Sequence, residues 1–444
     1  MRRPYREKAL ILNWTTIDTK IVIAGAVCAM ACALLGNFLV LRKISLMGDA
    51  ISHALLPGIV TAFLLTGSRA SLPMFIGAAC AGVLTAWLAE WLRGRGKVDE
   101  GAAMGIVFTS LFALGLILLR KYADHVDLDV DCVLNGVLET SVIGDTVQIL
   151  GLERVPRVVV VLTVVLFINA VVVVGLYKEL KISSFDPQLA TTMGINSRLM
   201  HYLLMSLTAL TTVAAFEAVG PILVIAMLIV PAATAYLLTD RLPLMIAFSL
   251  VLAALSAVLG HVGAILLPRA LGFDDSTTTA GMMATMTGVL FVIVMIGSPH
   301  HGLLARAIRR RRMVRQIVSE DVLAVMYRAD EDERTVTPDL LIGHITGTGS
   351  TIGKAVHRLA RQGLVSIQGH AMQLTDAGRS SAQRLVRSHR LWEQYLSEHT
   401  TVAPDHVHST AERLEHVTDD QLRTRLATQT RSETDPHGRK IPKE

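Results

Sequence analysis

Two ionisable residues lie inside an apolar stretch near the start of the chain. The segment Leu41 to Gly58 reads LRKISLMGDAISHALLPG and carries Asp49 and His53, with Ser52 beside them. Residues four apart share one face of a helix, so the carboxylate and the imidazole would lie together. Such groups are costly inside a membrane and normally face a protein interior or a wet pathway. The pair is therefore either a divalent-metal site, for which these ligand types are suitable, or an ion pair that joins two helices.

The elements that must position this pair are membrane helices. Of the 444 residues, 52% are hydrophobic, and the mean hydropathy of +0.48 is too high for a soluble protein of this size. Apolar runs end near Gly297, so we expect a membrane domain followed by a soluble one. An additional crossing at 129–150 is disfavoured by its polar residues. Nine spans are predicted, with eight or ten as alternatives: 18–41, 49–66, 72–92, 101–120, 155–177, 198–217, 220–239, 243–267 and 277–297.

Basic residues predict the orientation. Residues 306–315 follow the last span and contain a block of arginines, which is typical of the cytoplasmic side. With that end inside, the loops at 42–48, 93–100, 178–197 and 240–242 are cytoplasmic too, and each carries Arg or Lys. We therefore expect a multi-pass protein of the bacterial plasma membrane with a cytoplasmic C-terminal domain.

A family resemblance refines this expectation. The string GDAISHALLPG, preceded by LRKISL, closely resembles the signature of the permease subunits of ABC importers for manganese, iron or zinc. The resemblance covers most of residues 20–303 and implies an all-α polytopic fold. It also implies a separate ATPase subunit, an extracytoplasmic metal-binding protein, and a homodimer or a heterodimer with a second permease. Mn(II) or Fe(II) would be the cargo, with a zinc importer as the alternative.

Two more ionisable residues are candidates for the transport path. Glu217 stands at the start of a proline-bearing span, and His261 lies late in the span 243–267. Either residue would add a ligand to the pair formed by Asp49 and His53. The alternatives are a helix cap at the interface for Glu217 and ordinary packing for His261.

A short cytoplasmic helix is predicted between two spans. The segment FDPQLATTMGIN begins a helix at Asp186 and Pro187 and ends it near Gly194. It resembles the coupling helix that ABC permeases insert into a cleft of their ATPase subunit; the alternative is an ordinary interhelical turn. The resemblance assigns ATPase coupling to Phe185, Asp186, Leu189, Ala190 and Gly194.

The chain is predicted to hydrolyse no ATP itself. The segment GTGSTIGKA is similar to a phosphate-binding loop, but its first Gly is one place too early. Ala355 also replaces the hydroxyl residue that would hold magnesium. ATP hydrolysis is therefore expected in a separate subunit.

The soluble part begins with a winged-helix pattern. Helices are predicted at 317–328, 338–345 and 349–362, followed by two strands with a turn at Gly369 and a helix from Thr375. This order predicts an α+β winged-helix domain. Candidate contacts to operator DNA, unless they are only solvated surface residues, are Ser350, Thr351, Lys354 and Arg358.

Two later segments resemble a metalloregulator. HRLWEQYL (389–396) and VHSTAERLEH (407–416) are similar to the metal-binding and dimerisation helices of the diphtheria toxin repressor family. Their oxygen and imidazole ligands suit Mn(II) or Fe(II), although affinity order favours Zn(II) or Cu(II). Ala324 stands where manganese sensors usually place a further carboxylate, so one ligand is not accounted for. A salt-bridged surface helix is the alternative. The resemblance assigns a first site to Asp321, His389, Glu412, Glu415 and His416, and a second to Glu393 and His408. The spacing i, i+3 and i+4 would also place Glu412, Glu415 and His416 on one helix face, where they could converge on one cation.

The predicted organisation is therefore a metal-importer permease fused to its own metal sensor. The permease occupies residues 1–300, and a basic lead-in helix or linker follows at 301–315. The winged helix occupies 316–378, the metal-binding and dimerisation helices 379–426, and a disordered polar tail 427–444. The rival interpretation is a membrane-tethered, metal-responsive transcriptional regulator without transport activity.

Overall fold

The computed structural model describes residues 14–44, 47–67, 71–122, 138–144, 146–149, 152–272, 277–368, 371–400, 404–430 and 432–443. The chain forms two compact units, Met1–Ala305 and Arg306–Glu444. The first is built mainly of apolar helices, and the second combines helices with a small hairpin. This confirms the predicted fold class of a polytopic helical protein with an α+β domain behind it.

The described residues of the first unit contain eight segments long and apolar enough to cross a membrane. The predicted span 220–239 corresponds to a ninth, shorter apolar helix. All nine predicted spans are therefore helical. The helices are α1 (Thr16–Leu41), α2 (Met47–His53) and α3 (Leu56–Thr66), which share one span, α4 (Ser71–Gly96), α5 (Glu100–Tyr122), α6 (Leu138–Ile143), α7 (Arg157–Gly175), α8 (Tyr177–Phe185), α9 (Pro187–Thr192), α10 (Ser197–Val219), α11 (Pro221–Leu238), α12 (Leu242–Ala270) and α13 (Thr279–Gly297).

The possible additional crossing at 129–150 does not form a membrane helix in its described part. Residues 138–143 make the short helix α6, and β1 (Thr146–Ile149) pairs antiparallel with β2 (Leu152–Pro156). Thr146 lies opposite Pro156 in this hairpin. Residues 129–137 lie outside the described part of the chain.

The core of the first unit forms around α1 and α10, which are the most buried of the candidate spans. Small side chains in α1 permit close helix packing, as in other membrane bundles. A Cβ atom at Gly36 would lie 1.8 Å from the carbonyl oxygen of Leu228 on α11, so this crossing requires glycine. Ser249 on α12 also contacts α1, because its hydroxyl accepts a hydrogen bond of 2.7 Å from the Asn37 amide.

The second span is broken immediately after His53. Pro57 occupies the first turn of α3 and has no backbone N–H, so the His53 carbonyl cannot accept the usual helical bond from residue 57. Residues 54 and 55 form a turn between α2 and α3. Gly115 of α5 packs at this break, where a Cβ would come within 2.8 Å of Pro57 N. The break isolates a seven-residue half-helix that carries Asp49 and His53.

The second unit follows the predicted winged-helix order. The helices α14 (Leu303–Glu331), α15 (Pro338–His344) and α16 (Gly349–Arg361) precede a hairpin of β3 (Val365–Gln368) and β4 (Ala371–Leu374). The predicted turn at Gly369 lies outside the described residues. Val322, Leu341 and Leu359 pack with the hairpin in one hydrophobic core. Three helices follow: α17 (Asp376–His399), α18 (Pro404–Glu415) and α19 (Asp420–Gln429).

One predicted segment is specified by the structure, and another requires correction. The basic segment 301–315, predicted as a lead-in helix or a linker, is largely the beginning of α14, because no Gly or Pro interrupts residues 303–331. The tail predicted to be disordered from residue 427 is partly helical in α19, and residues 432–443 pack on α17. Hydrogen bonds from α17 side chains to tail carbonyls stabilise this polar tail. The composition of the tail does not indicate these bonds.

Candidate metal centres and coupling surface

The structure brings Asp49 and His53 together on α2. His53 Nε2 lies 3.3 Å from Asp49 Oδ1, and the imidazole packs beside the rings of Phe108 and Phe112 on α5. The His53 and Asp49 side chains are 44% and 38% exposed in the single chain. They are thus neither sealed in a dry core nor distant from each other. In a membrane span, groups this exposed must be covered by protein or by a wet pathway.

The other predicted transport-path residues lie elsewhere. The Ser52 hydroxyl is buried and donates to the Gly48 carbonyl at 2.8 Å. Glu217, in the last turn of α10, lines a separate cavity of about 180 Å³ with Arg157 and Ser141. The structure therefore does not place either residue with the Asp49–His53 pair.

His261 is likewise part of a different network. It is 3% exposed, and its Nε2 and Nδ1 atoms lie 3.2 Å from Asp18 Oδ1 and 3.2 Å from Thr279 Oγ1. Both ring nitrogens are thus occupied by contacts that join α12 to α1 and α13. This agrees with the packing alternative for His261, because a buried imidazole with two polar partners is structurally satisfied.

The predicted coupling helix is α9. Asp186 caps it, with Oδ1 accepting from Gln188 N at 3.0 Å and from Leu189 N at 2.9 Å. Gly194 adopts a φ of +80° just beyond its end, a conformation that favours glycine. Ala190 is buried, whereas Phe185 and Leu189 are exposed.

One exposed residue of this surface was not predicted. Met193 follows α9 and is as exposed as Phe185, at 60%. The sequence indicated Met193 only as a large apolar side chain in a short loop that is predicted to be cytoplasmic. Phe185, Leu189 and Met193 together define the coupling surface, an apolar patch suited to contact with another protein.

Arg42 connects α8, which leads into α9, to α1, which precedes the helix with Asp49 and His53. Its guanidinium donates to Ser184 Oγ at 3.0 Å and to Ser183 Oγ at 2.8 Å, both on α8. It also contacts His201, which in turn contacts Glu90 on α4. Arg42 caps the C-terminal end of α1, and α2 begins five residues later.

The second unit contains two clusters that could hold a metal ion. The first cluster is Asp321, Glu415 and His416, and the second cluster is His389, Glu393 and His408. In each, one potential ligand atom per residue lies within 4.8 Å of the others. Among the described residues, the first cluster gathers three of the five residues predicted for the first site, and the second cluster joins His389 to Glu393 and His408.

A carboxylate that was not predicted supports the first cluster. His416 Nε2 lies 3.3 Å from Asp321 Oδ1, while its Nδ1 lies 2.6 Å from Glu320 Oε2. A metal-binding histidine commonly donates its other ring N–H to a carboxylate, and Glu320 occupies that position. In the sequence, only its position next to Asp321 indicated Glu320.

Glu412 is not brought into either cluster. Its side chain is exposed on α18, whereas Glu415 is buried. The helix ends at Glu415 and His416 lies in the following turn, so the helical spacing used to group the three residues does not extend to His416. The structure thus contradicts the predicted convergence of Glu412, Glu415 and His416.

His389 lies between the clusters. Its Nε2 is 3.0 Å from Glu393 Oε1, while its Nδ1 is 2.6 Å from Glu415 Oε2 of the first cluster. His408 Nδ1 also contacts Glu393 Oε1, at 2.7 Å. One imidazole therefore contacts a carboxylate from each candidate site.

The ionisation of these groups fits a cation-binding role. Burial favours neutral His416, but hydrogen bonds with Asp321 and Glu320 outweigh it and raise the pKa of His416 to about 10. Burial also favours neutral Glu393, yet hydrogen bonds from His389 and His408 hold the pKa of Glu393 far below its ordinary value. His416 is thus held as an imidazolium beside the carboxylates of the first cluster. A divalent cation would displace that proton on binding.

The predicted DNA-contact residues fall into two groups. Ser350 and Lys354 are exposed one turn apart on α16, so they remain candidates for DNA contact. Arg358 instead donates to the Arg315 carbonyl at 3.1 Å and to Ser319 Oγ at 3.3 Å, joining α16 to α14. Thr351 is partly buried, and its hydroxyl pairs with that of Thr348. Arg358 thus has a structural role, because its guanidinium is engaged within the domain.

Comparison with known proteins agrees with this arrangement. Residues 16–298 match the ABC 3 transport family, and residues 375–443 match the iron dependent repressor, metal binding and dimerisation domain. The chain is 44% identical to the manganese transport system membrane protein MntD of Bacillus subtilis over 68% of this chain and 99% of that protein. It is 37% identical to the zinc transport system membrane protein TroD of Treponema pallidum, over 82% of this chain and 97% of TroD.

A solved structure shares the membrane fold. PsaBC from Streptococcus pneumoniae, determined in complex with Fab, aligns with a TM-score of 0.53 and 31% identity. The alignment covers 67% of this chain and 96% of that chain. The chain therefore belongs to the ABC 3 transport family and carries, after its membrane unit, a metal-binding and dimerisation domain of the iron-dependent repressor type.

Proposed function

We propose that the membrane unit is the permease subunit of an ATP-driven importer, with Mn(II) or Fe(II) as its cargo. The observation that supports this most directly is the Asp49–His53 pair on the broken half-helix α2. A carboxylate and an imidazole offer a divalent ion two ligands, and two ligands bind weakly enough to let it leave. The pair then acts as a transient site in the path.

A second permease chain completes this path. The exposed Asp49 and His53 side chains lie in a membrane span, where contact with lipid would be costly. A homodimer, or a heterodimer with a related permease, covers them and supplies the opposite wall of the pathway. The oligomer thus explains why the two side chains face away from the interior of a single chain.

Energy and cargo come from two further partners. The exposed apolar side chains of the coupling surface dock into a cytoplasmic ABC ATPase subunit. An extracytoplasmic binding protein delivers the ion at the opposite face. The basic loops support a location of α9 and the second unit in the cytoplasm of a bacterial cell.

The second unit senses the imported ion. Its two clusters offer carboxylate and imidazole ligands that are already gathered, and three of the six are buried. Metal binding there changes the dimer geometry of the unit and so reports that the cell holds enough metal. The signal acts either on operator DNA, through the exposed face of α16 with Ser350 and Lys354, or on transport in place.

Uptake by a double variant tests the transport role. Asp49→Ala combined with His53→Ala should abolish accumulation of radioactive Mn(II) in cells that lack other importers. The matched control is Asp240→Ala with His301→Ala, an exposed pair 2.9 Å apart in the same unit. Normal uptake by the first double variant would refute the permease role and favour the membrane-tethered regulator.

Competition between ions tests the cargo. The names of the relatives include both manganese and zinc transport, so the ligand types do not decide the metal. We expect Mn(II) or Fe(II) to compete with labelled Mn(II) uptake more effectively than Zn(II) at equal free concentrations. Stronger competition by Zn(II) would identify a zinc importer of the same fold.

Operator binding tests the regulatory branch. The full chain in lipid nanodiscs should retain DNA of its own promoter region when Mn(II) or Fe(II) is added, and Lys354→Ala should weaken this retention. His344→Ala, on the neighbouring helix α15, serves as the control. Failure to bind promoter DNA under any metal leaves inhibition of transport as the output of the sensor.

A further inference from the structure

A cavity of about 780 Å³ lies in the membrane unit where the end of α1, the end of α4 and the start of α10 meet. Pro187, in the first turn of α9, also lines it. Its volume falls within the range of about 300–1,000 Å³ that is usual for small-molecule sites. The loops 42–48, 93–100 and 178–197 that contribute to it are those whose basic residues predict the cytoplasmic side.

The lining of this cavity carries an excess of positive charge. Among the described residues, five cationic side chains and one carboxylate line it: Arg42, Lys43, Arg93, Arg95 and Arg198, with Glu90. Glu90 is already paired, because its two carboxylate oxygens lie 2.8 Å from Arg93 Nη2 and 3.2 Å from His201 Nε2. The other cations therefore receive little compensation from this carboxylate, and the cavity favours an anion.

Arg42 is a partly buried cation with neutral partners. Its guanidinium donates to the hydroxyls of Ser183 and Ser184 and lies 3.3 Å from His201 Nδ1. Burial lowers the pKa of Arg42 only to about 10, so the group is still charged at neutral pH. Within the described part of the chain, no carboxylate forms an ion pair with it. A buried charge without a counter-ion is unfavourable, and an anion in the cavity would compensate it.

Two exposed guanidinium groups are available for direct contact with that anion. Arg95 lies in the last turn of α4, with its guanidinium carbon 5.7 Å from the centre of the Trp91 ring. Arg198 lies in the first turn of α10. The planar fork of a guanidinium matches the oxygens of a phosphate group, which it can bind through two parallel hydrogen bonds. The charge and the donor geometry therefore both suit a phosphate.

Aromatic side chains in the lining indicate that this phosphate belongs to the membrane. Trp91 and Tyr202 line the cavity near the ends of their spans and are 45% and 39% exposed in the single chain. Such residues are typical of the headgroup level of a bilayer. Basic pockets between membrane helices on the cytoplasmic side bind acidic lipid headgroups. The position of the cavity thus favours a lipid phosphate over a soluble one.

We propose that this cavity binds the headgroup of an anionic phospholipid from the cytoplasmic leaflet, with Arg95 and Arg198 in contact with its phosphate and Arg42 as the buried countercharge. The site is separate from the Asp49–His53 pair and from both clusters of the second unit. Because Pro187 lines the same cavity, the bound headgroup lies beside the first turn of α9.

Lipid binding to the full chain tests the proposal. Native mass spectrometry of the delipidated chain in detergent measures its affinity for phosphatidylglycerol and for phosphatidylcholine with the same acyl chains. The test variant is Arg95→Gln with Arg198→Gln. The matched control is Lys181→Gln with Arg241→Gln, which removes the same charge from exposed positions on the same predicted side. Hydrogen exchange of residues 195–202, compared between nanodiscs of the two lipids, locates the bound headgroup.

The unaltered chain should bind phosphatidylglycerol at least tenfold more tightly than phosphatidylcholine, and phosphatidylglycerol should slow exchange at 195–202. Arg95→Gln with Arg198→Gln should weaken binding of phosphatidylglycerol about thirtyfold and abolish the slowing, because each cation near an anionic lipid contributes about fivefold. The control should retain both properties. Arg95→Lys with Arg198→Lys keeps the charge and should lose less than tenfold, which separates loss of charge from loss of fold.

Three results would overturn the proposal. The first is equal affinity of the unaltered chain for the two lipids, and the second is an equal loss of phosphatidylglycerol binding in the two glutamine double variants. The third is slowing of exchange at 195–202 by millimolar inorganic phosphate in phosphatidylcholine nanodiscs without any effect of phosphatidylglycerol, which would assign the cavity to a soluble anion.

Discussion

At the scale of single residues, His389 links the two candidate metal sites of the second unit. Its Nε2 atom contacts Glu393 in the second cluster, and its Nδ1 atom contacts Glu415 in the first. When one ring nitrogen of an imidazole binds a metal, the partner of the other nitrogen fixes the tautomer and raises the basicity of the ligand. Metal binding at the second cluster therefore fixes the protonation state of His389 Nδ1, the atom that contacts Glu415.

His389→Ala should weaken metal binding at both clusters, whereas His408→Ala should weaken only the second. We expect a loss of about tenfold or more at the first cluster in His389→Ala, because Glu415 then lacks its imidazole partner. Mn(II) and Zn(II) titrations of the full chain measure both affinities, and circular dichroism checks that the fold persists. Equal effects of the two variants at the first cluster would contradict a linking role for His389.

At the scale of elements, the break between α2 and α3 holds the Asp49–His53 pair on a short half-helix. The missing N–H of Pro57 at the break and the seven-residue length of α2 make this element easier to move than a continuous span. An element of this kind can shift while the rest of the membrane unit stays packed.

Pro57→Ala should lower the rate of Mn(II) uptake several-fold without lowering the amount of protein in the membrane. The substitution restores the N–H that can bond the His53 carbonyl, so it favours a continuous helix from α2 into α3. The control is Pro73→Ala, since Pro73 lies in the first turn of α4, where proline is tolerated. Uptake at the normal rate in Pro57→Ala would show that the break is not needed for transport.

Hydrogen bonds of Arg42 join the end of α1 to α8. The helix α8 leads into α9, and α1 leads into α2, so Arg42 connects the proposed ATPase contact to the Asp49–His53 pair. Arg42→Ala should reduce the metal ions imported per ATP hydrolysed, because the two motions are no longer linked. Lys43→Ala, at an exposed neighbouring position, should keep the normal ratio.

The spans, the winged-helix order and the Asp49–His53 pair were predictable because each depends on local spacing or hydropathy. The partners of His261 were not, since Asp18 contacts it from 243 residues away. The grouping of Glu412 with His416 was wrong because it assumed that α18 continues past Glu415. The ordered tail was missed because side-chain bonds to backbone carbonyls, such as that of Arg390, leave no compositional signal.

At the scale of the whole molecule, the proposed function gives one chain both a pathway for an ion and a receptor for it. The path offers two partly exposed ligands, whereas each cluster of the second unit gathers three, and half of the six are buried. Fewer ligands give weaker binding, which suits release from the path, and more ligands give the retention that a sensor needs. The second unit can therefore bind the metal ion at free-ion concentrations at which the path still releases it and transport continues.

If the second unit inhibits transport in place, Glu415→Ala combined with His416→Ala should leave the initial rate of Mn(II) uptake unchanged in metal-depleted cells. Uptake should then continue past the level at which the unaltered chain stops, because the first cluster no longer binds the ion that accumulates inside. Time courses of Mn(II) uptake measure both phases, and Glu412→Ala is the matched control, since Glu412 is exposed and lies outside both clusters. All three proteins are expressed at the same constant level. Identical plateaus would then assign the output of the sensor to DNA, because only transcription of the importer would respond to the bound ion.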